Sequence, residues 1–449
     1  YTSTGSVTSF NYDGYTLGSE DRVNENNATY VAWTWKAGGN KNTFNIDDVG
    51  YASASDVAMN VGGQNSNAYD QSQTWSNFIT GNVDSNYGSA TDLFNGTIPS
   101  GTSGAVRSTN PGTLTLDISS LNVTATTVTL HTYIHGTPST FKVNGVDIDR
   151  SQVSGNGDKN FIIRVNGKLN TIAWSYDSGS GPYCYMRGIS VSGKLLVNNG
   201  VTPADAPSIA SSGCSVGTKQ GFSIIGYTGT DNASDTISHG LSQKPDFAIF
   251  KNRSQDGDDW IVYHSSQRAT NRGKLNLTNT FDAQTSQFNN TEPTPSLFTI
   301  GTYDNINKLN NNYISYIWHD VPGLQKFGEY TGTGFNTNDK EPFIELGFRP
   351  KLIWIKSTTL GHNWVAFDSE RGVINPVDEM LFLNENDAEA ALDSGDTNTG
   401  DLDFDILSNG FKLRTANHSV NKGSSDTYIY CAWAEAPSIG LYGSQSNAR

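Results

Sequence analysis

Apolar and polar positions alternate with a period of two along much of this chain, the pattern of strands with one buried face. Val128, Leu130, Thr132 and Ile134 interleave with His131, Tyr133 and His135, and residues 161–165, 170–176 and 189–197 repeat the alternation. Val143-Asn144-Gly145 and Val165-Asn166-Gly167 punctuate these runs. Asn-Gly adopts the positive φ angles of a two-residue turn, so a tight hairpin is predicted at each. Residues 247–250 and 352–355 are unbroken apolar runs, short enough to be strands covered on both faces. One helix is predicted, over residues 386–392, with Asn386 or Asp387 at its N-cap and an Ala-rich body. The fold class expected is all-β.

The same pattern occurs twice. Gly226-Tyr227-Thr228-Gly229-Thr230 returns as Glu329-Tyr330-Thr331-Gly332-Thr333, 103 residues on. Leu241, Pro245, Phe250 and Lys251 match Leu346, Pro350, Ile355 and Lys356. Trp260, Tyr263, His264 and Ser265 match Trp364, Phe367, Asp368 and Ser369, with Arg268 and Arg371 just beyond, and Leu275 and Leu277 are aligned with Leu381 and Leu383. Each copy closes on an aromatic strand, Tyr313 to Trp318 and Tyr428 to Trp433. A partial third copy opens the chain: Asp13-Gly14-Tyr15-Thr16-Leu17 matches Asn409-Gly410-Phe411-Lys412-Leu413, Val23-Asn24 matches Val420-Asn421, and residues 30–35 match the closing strand. A closing strand without partners leaves an open edge, which proteins avoid. The expectation is that further chain ahead of Tyr1 supplies the missing strands, the alternative being another subunit.

These landmarks divide the chain. Residues 1–50 read as the C-terminal remnant of an incomplete repeat, and 51–200 as a jelly-roll-like β-sandwich whose strand-rich part begins near Phe94-Asn95-Gly96. Residues 201–219 read as a Pro/Ser/Ala linker, 220–325 as repeat module A and 326–449 as module B, with A and B packed together. The expected architecture is a tandem of β-sandwich, lectin-like modules with internal repeats of about 100 residues.

Composition narrows the function. The 449 residues suit roughly three domains. Only 16% are charged, with Asn, Ser, Thr and Gly in their place, and the 11% aromatic content excludes a disordered chain. The longest apolar run, residues 428–434, is far short of the ~20 that span a bilayer, so no membrane partner is expected. No signal peptide is visible in the opening residues. Cys184, Cys214 and Cys431 are scattered and have no neighbouring His, so they mark neither a disulfide framework nor a zinc site. A net charge of −15 without a basic stripe argues against nucleic acid.

Asp256, Asp258 and Asp259 crowd the loop before Trp260 and are the candidate ligands for a hard cation such as Ca²⁺. The matched loop, residues 358–363, has no carboxylate, so a solvated acidic loop is expected and no cofactor is assigned. Asp401, Asp403 and Asp405 alternate with Leu402 and Phe404 as an exposed strand face. A glycosidase needs two converging carboxylates. Glu341 with Glu345 and Asp368 with Glu370 are the available pairs, yet His264 and Ser266 or Gln267 stand at the matched positions of the latter, so no catalytic residue is assigned. His264 beside Ser265 makes no dyad, because neighbours on a strand point to opposite faces. His131 and His135 read as a polar strand face. Trp260, Trp364, Trp318 and Trp433 recur and are expected as core pillars. Trp260 and Trp364, with Trp75 and Tyr185 outside the repeats, are also the candidates for a glycan-stacking platform.

The set Gly221 to Gly229, His239-Gly240-Leu241, Lys251-Asn252-Arg253, Trp260 to His264 and Tyr428 to Glu435 resembles a repeat family of tail-fibre-like, concanavalin A-like or lectin-like virion proteins of bacteriophages, especially marine phages. The resemblance spans about residues 85–437 and the fragment at 1–38, and carries no catalytic residues. It implies a structural or adhesive virion component: a tail fibre, spike or capsid appendage. Such a part is made in the host cytoplasm, forms a homo-oligomer such as a trimer, and binds host-surface polysaccharide or other virion proteins. The alternatives are a virion-borne or secreted polysaccharide-degrading enzyme and a bacterial cell-surface adhesin.

Overall fold

The computed structural model of the chain describes residues 5–11, 14–51, 68–69, 73–149, 156–201, 207–241, 243–334, 341–377, 379–391 and 404–434. It is nearly all β, and it divides into a small unit, Tyr1–Lys36, and a large one, Ala37–Arg449.

Within the large unit, residues 68–196 form a sandwich. One layer sets Ile79–Thr80, Gly112–Asp117, Thr171–Tyr176, Phe141–Val143 and Val146–Asp147 side by side. The other sets Gly157–Lys168, Thr124–His135, Tyr183–Val191, Lys194–Leu196 and Ala68–Tyr69 side by side. They join through the Tyr176–Tyr183 pair. Period-two alternation sends Leu114, Leu116, Ile172 and Trp174 from one layer against Val128, Leu130, Ile134, Met186 and Val191 from the other. Asn144 and Gly145 take positive φ and turn the predicted hairpin. Asn166-Gly167 does not turn the chain: it lies inside Gly157–Lys168, where Asn166 at φ 46° makes a register shift between Arg164 and Gly167, a bulge. Residues 189–197 fold as two strands, because Ser192 and Gly193 at positive φ reverse the chain. Asp92–Phe94 is a 3₁₀ turn rather than the start of strands.

The rest of the large unit contains two sheets with one strand order. In the first, Phe222–Thr228, Asn312–Trp318, Phe247–Asn252, Ile261–His264, Asn271–Lys274 and Asp282–Ala283 follow one another, all antiparallel. In the second, Gln325–Thr331, Thr427–Ala434, Pro350–Ser357, Val365–Asp368, Glu379–Phe382 and Ala390–Ala391 do the same. Registers agree: Tyr227 stands opposite Tyr313 and Tyr330 opposite Tyr428, each pair stacked with centroids 5.1 and 5.2 Å apart. Each sheet covers a smaller one, Asp235–Ser238 with Leu297–Ile300 in the first case and Phe343–Glu345, Gly410–Leu413 and Phe404–Leu407 in the second. One sequence alignment shifts. Trp260 N–H donates to Asn276 Oδ1 and Trp364 N–H to Asn384 Oδ1, so Leu275 corresponds to Leu383 rather than Leu381.

The first sheet has strands that the second lacks. Gly213–Gly217 pairs with Phe222–Thr228, Phe44–Ile46 runs parallel to Gly213–Gly217, and Val49–Tyr51 closes the edge. The predicted linker therefore ends in a strand, and residues 44–51 belong to this sheet rather than to the opening remnant. The chain leaves the sheet after residue 51, builds the sandwich and returns at Gly213–Gly217, with Phe44–Ile46 between the two points. The helix predicted over residues 386–392 does not form. Asn386 to Glu389 are irregular, and Ala390–Ala391 pairs with Glu379 and Met380. A seven-residue segment lacks the length to sustain a helix against a free sheet edge. Leu392, Asp13, Asp401, Asp403 and Glu435 lie outside the described residues.

A tyrosine hydroxyl pins each closing segment. Tyr313 Oη donates to Asp304 O at 2.5 Å and accepts from Lys308 N–H at 2.8 Å. Tyr428 Oη donates to His418 O and accepts from Lys422 N–H. In the small unit Tyr30 Oη does the same with Asp21 O and Glu25 N–H, although residues 28–36 form no strand there. Tyr428→Phe removes two half-buried hydrogen bonds, at about 1–3 kcal/mol together. Denaturant unfolding of this substitution should show that loss with an unchanged slope.

Candidate functional site

Alternation leaves each large sheet with a second apolar face. In Pro350–Ser357, Ile353 and Ile355 join the sheet's own core, which turns Leu352, Trp354 and Lys356 the other way. In Phe247–Asn252, Ala248 and Phe250 face inward and Phe247 outward. These outer faces meet in a seam. Phe247 lies 5.5 Å from Phe327 and 6.4 Å from Trp354, Trp318 lies 6.1 Å from Trp433, and Trp433 lies 4.9 Å from Trp354. Trp364 Nε1–H donates across it to Lys274 O at 2.9 Å. The modules are thus packed together by large aromatic surfaces.

Ionisable groups are built into this seam. Lys356 is fully buried, and its ammonium donates to Thr278 O, His362 O and Leu360 O; burial pushes its pKa down to about 8. Lys251, at the matched position, donates to Asp258 O and lies 5.8 Å over the Trp260 ring. His264, fully buried, donates from Nε2 to Tyr430 O at 3.4 Å, and its Nδ1 accepts from the Ser266 hydroxyl at 2.8 Å. Burial lowers it to about 4, and does the same to His239. Where the chain passes from one module to the next, burial raises Asp320 to about 6 while its Oδ1 accepts from Phe327 N–H.

The Asp256, Asp258 and Asp259 carboxylates do not converge. Asp258 accepts from Asn252 Nδ2, and Asp259 from Lys274 Nζ at 2.8 Å and Asn276 Nδ2. Against the burial that raises it, these bonds hold the Asp259 carboxyl below its usual range. Among the described residues no group of three or more His, Cys, Asp or Glu is placed to hold a metal ion. Glu341 is paired with Lys412, Asp368 with Arg371 and Glu370 with Lys351, while Glu345 is exposed. His131 is held by Asn160 and Ser190, whereas His135 stacks on Tyr183, so the two imidazoles serve different partners.

Of the four platform candidates, three have no ring face to offer. Trp75 is fully buried in the sandwich core, Trp364 is fully buried at the seam, and Tyr185 is 3% exposed. Tyr185 packs with Tyr87, Tyr133 and Tyr183 around Arg107, whose guanidinium lies 4.1 Å over Tyr87 and 4.4 Å over Tyr176 and pairs with Asp84 at 2.7 Å. Trp260 alone of the four keeps part of its surface in solvent. Sequence reasoning passed over Lys356 and Asp320. The recurrence of Lys251 and Lys356 was the signal for the first, since a lysine inside an aromatic strand pair needs carbonyl partners. No signal marks the second.

Two buried histidines, His264 at the seam and His239 within the first module, make the fold acid-sensitive. His264 and His239 bind protons in the unfolded chain below pH 6.5 but in the folded one only near pH 4. Each therefore removes stability as pH falls through that window, by about 1.4 kcal/mol per pH unit. Asp320 has the opposite sign, since its folded pKa lies above the unfolded one and it adds stability as pH falls from about 6 towards 3.8. His264→Gln should flatten the pH dependence of the unfolding midpoint between pH 6.5 and 4. Asp320→Asn should steepen it. Thermal scans across that range read both.

No curated protein and no solved structure matches the chain. One family, described as a domain of unknown function (DUF7483), matches residues 1–62 and 196–437. The two matched segments flank the sandwich and cover more than half of the 449 residues. The chain belongs to the DUF7483 family.

Proposed function

We propose that the protein is a structural and adhesive part of a phage virion, a fibre, spike or capsid appendage that binds host-surface polysaccharide or another virion protein. The observation that carries the reading is the seam: the recurrent aromatic residues and the buried Lys356 and His264 are spent on holding two modules together, and three of the four nominated carboxylates, Glu341, Asp368 and Glu370, are committed to separate cations. The phage setting rests on the sequence resemblance alone. Trp260 supports the adhesive part, because a half-buried indole beside an ammonium is suited to stack on a sugar ring.

The test is incubation with purified bacterial envelope polysaccharide. Retention on the polysaccharide without release of reducing ends is expected, and Trp260→Ala should weaken it about tenfold, equivalent to 1.4 kcal/mol. Release of reducing ends would replace this reading with a polysaccharide-degrading enzyme.

A further inference from the structure

The Tyr1–Lys36 unit displays apolar side chains that both complete modules bury. Its hairpin pairs Val7 with Leu17 and Phe10 with Tyr15, as Phe404 pairs with Leu413 and Ile406 with Phe411. Its pin on Tyr30 repeats those on Tyr313 and Tyr428. Yet Val7, Phe10, Leu17 and Tyr30 are 44%, 77%, 39% and 49% exposed, whereas Phe404, Ile406, Leu413 and Tyr428 are 0%, 1%, 0% and 0% exposed. The difference follows from what is packed on them. In the second module the Phe343–Glu345 strand pairs with Gly410–Leu413, and Ile353, Ile355, Val365 and Phe367 of the large sheet share a core with Phe404, Ile406 and Leu413. In the first, Asp235–Ser238 and the sheet from Phe222–Thr228 to Asn271–Lys274 do the same.

Each module thus consists of a front, such as residues 325–382, and a back, such as residues 404–434. The described residues contain two fronts, each paired with its own back, and three backs. A second copy of the chain has no front to spare, since exchange between copies leaves one back uncovered in each.

We propose that the Tyr1–Lys36 unit is a docking surface for the front of a further module of this same type, a polypeptide outside residues 1–449. That front lays one strand against Tyr15–Leu17 and flanks residues 30–36 with two more, as Phe247–Asn252 and Phe222–Thr228 flank Asn312–Trp318.

Hydrogen exchange read by mass spectrometry tests this on two chains: residues 1–449, and the same chain with a second copy of residues 325–403 fused ahead of residue 1. In the first, amides of residues 15–17 and 30–36 should exchange at least about 100-fold faster than those of residues 410–413 and 428–434. In the fused chain they should slow at least about tenfold, and Phe10→Asp should reverse the slowing. Three results would overturn the proposal. One is equal protection in the unfused chain at low concentration, which means the face is already covered. Another is protection that grows with concentration in the unfused chain, which makes a second copy the occupant. The last is unchanged exchange on fusion.

Discussion

A β-sheet with apolar side chains on both faces has to be covered twice, and the large unit is organised around that demand. Phe250, Tyr263 and Ile317 are buried on one side of the first large sheet, Phe247, His264 and Trp318 on the other. A small sheet meets the first need and the neighbouring module the second. The outcome is four layers, small sheet, large sheet, large sheet and small sheet, with the aromatic seam at the centre. Separating the modules would expose the indoles of Trp318, Trp354 and Trp433 together with Phe247 and Phe327, so neither module is expected to persist alone in water.

Polar groups at the seam are held by geometry. The Lys356 ammonium donates to three carbonyl oxygens, two of them from the loop that follows its own strand and one from the other module. That arrangement fixes register, because a shift by one residue would carry the ammonium to the opposite, apolar face. Buried polar groups have been linked to specificity in other proteins, and the lysine is placed to act that way between two largely aromatic sheet faces.

The all-β class, the strands around residues 128–135, 247–250 and 352–355 and the matched landmarks could be read from the sequence, because alternation and aromatic spacing report directly on which face is buried. What could not be read depended on pairing partners. Asn166-Gly167 has turn chemistry, but its strand continues because Ala125 and Thr124 extend alongside it. Ala390 and Ala391 have helix propensity, but the free edge at Glu379 and Met380 takes their backbone. The candidate chemistry failed for a related reason. Trp75, Tyr185 and Trp364 are rich in binding surface as residue types, and only the fold shows that this surface faces inward. Asp258 and Asp259 are neighbours in sequence, yet Asn252 holds one and Lys274 the other.

The strands on either side of the sandwich have a consequence for how such chains change over time. The polypeptide departs from Val49–Tyr51 and re-enters at Gly213–Gly217, on either side of Phe44–Ile46 and so about 10 Å apart in the direction of the ladder. A domain seated there presents both its termini at one small port and shares no strand with the host sheet. The sandwich is therefore a cassette: another fold with adjacent ends could replace it, or it could be lost, while the frame of paired modules kept its hydrogen bonds. The family match, which stops at residue 62 and resumes at 196, has its gap at this port.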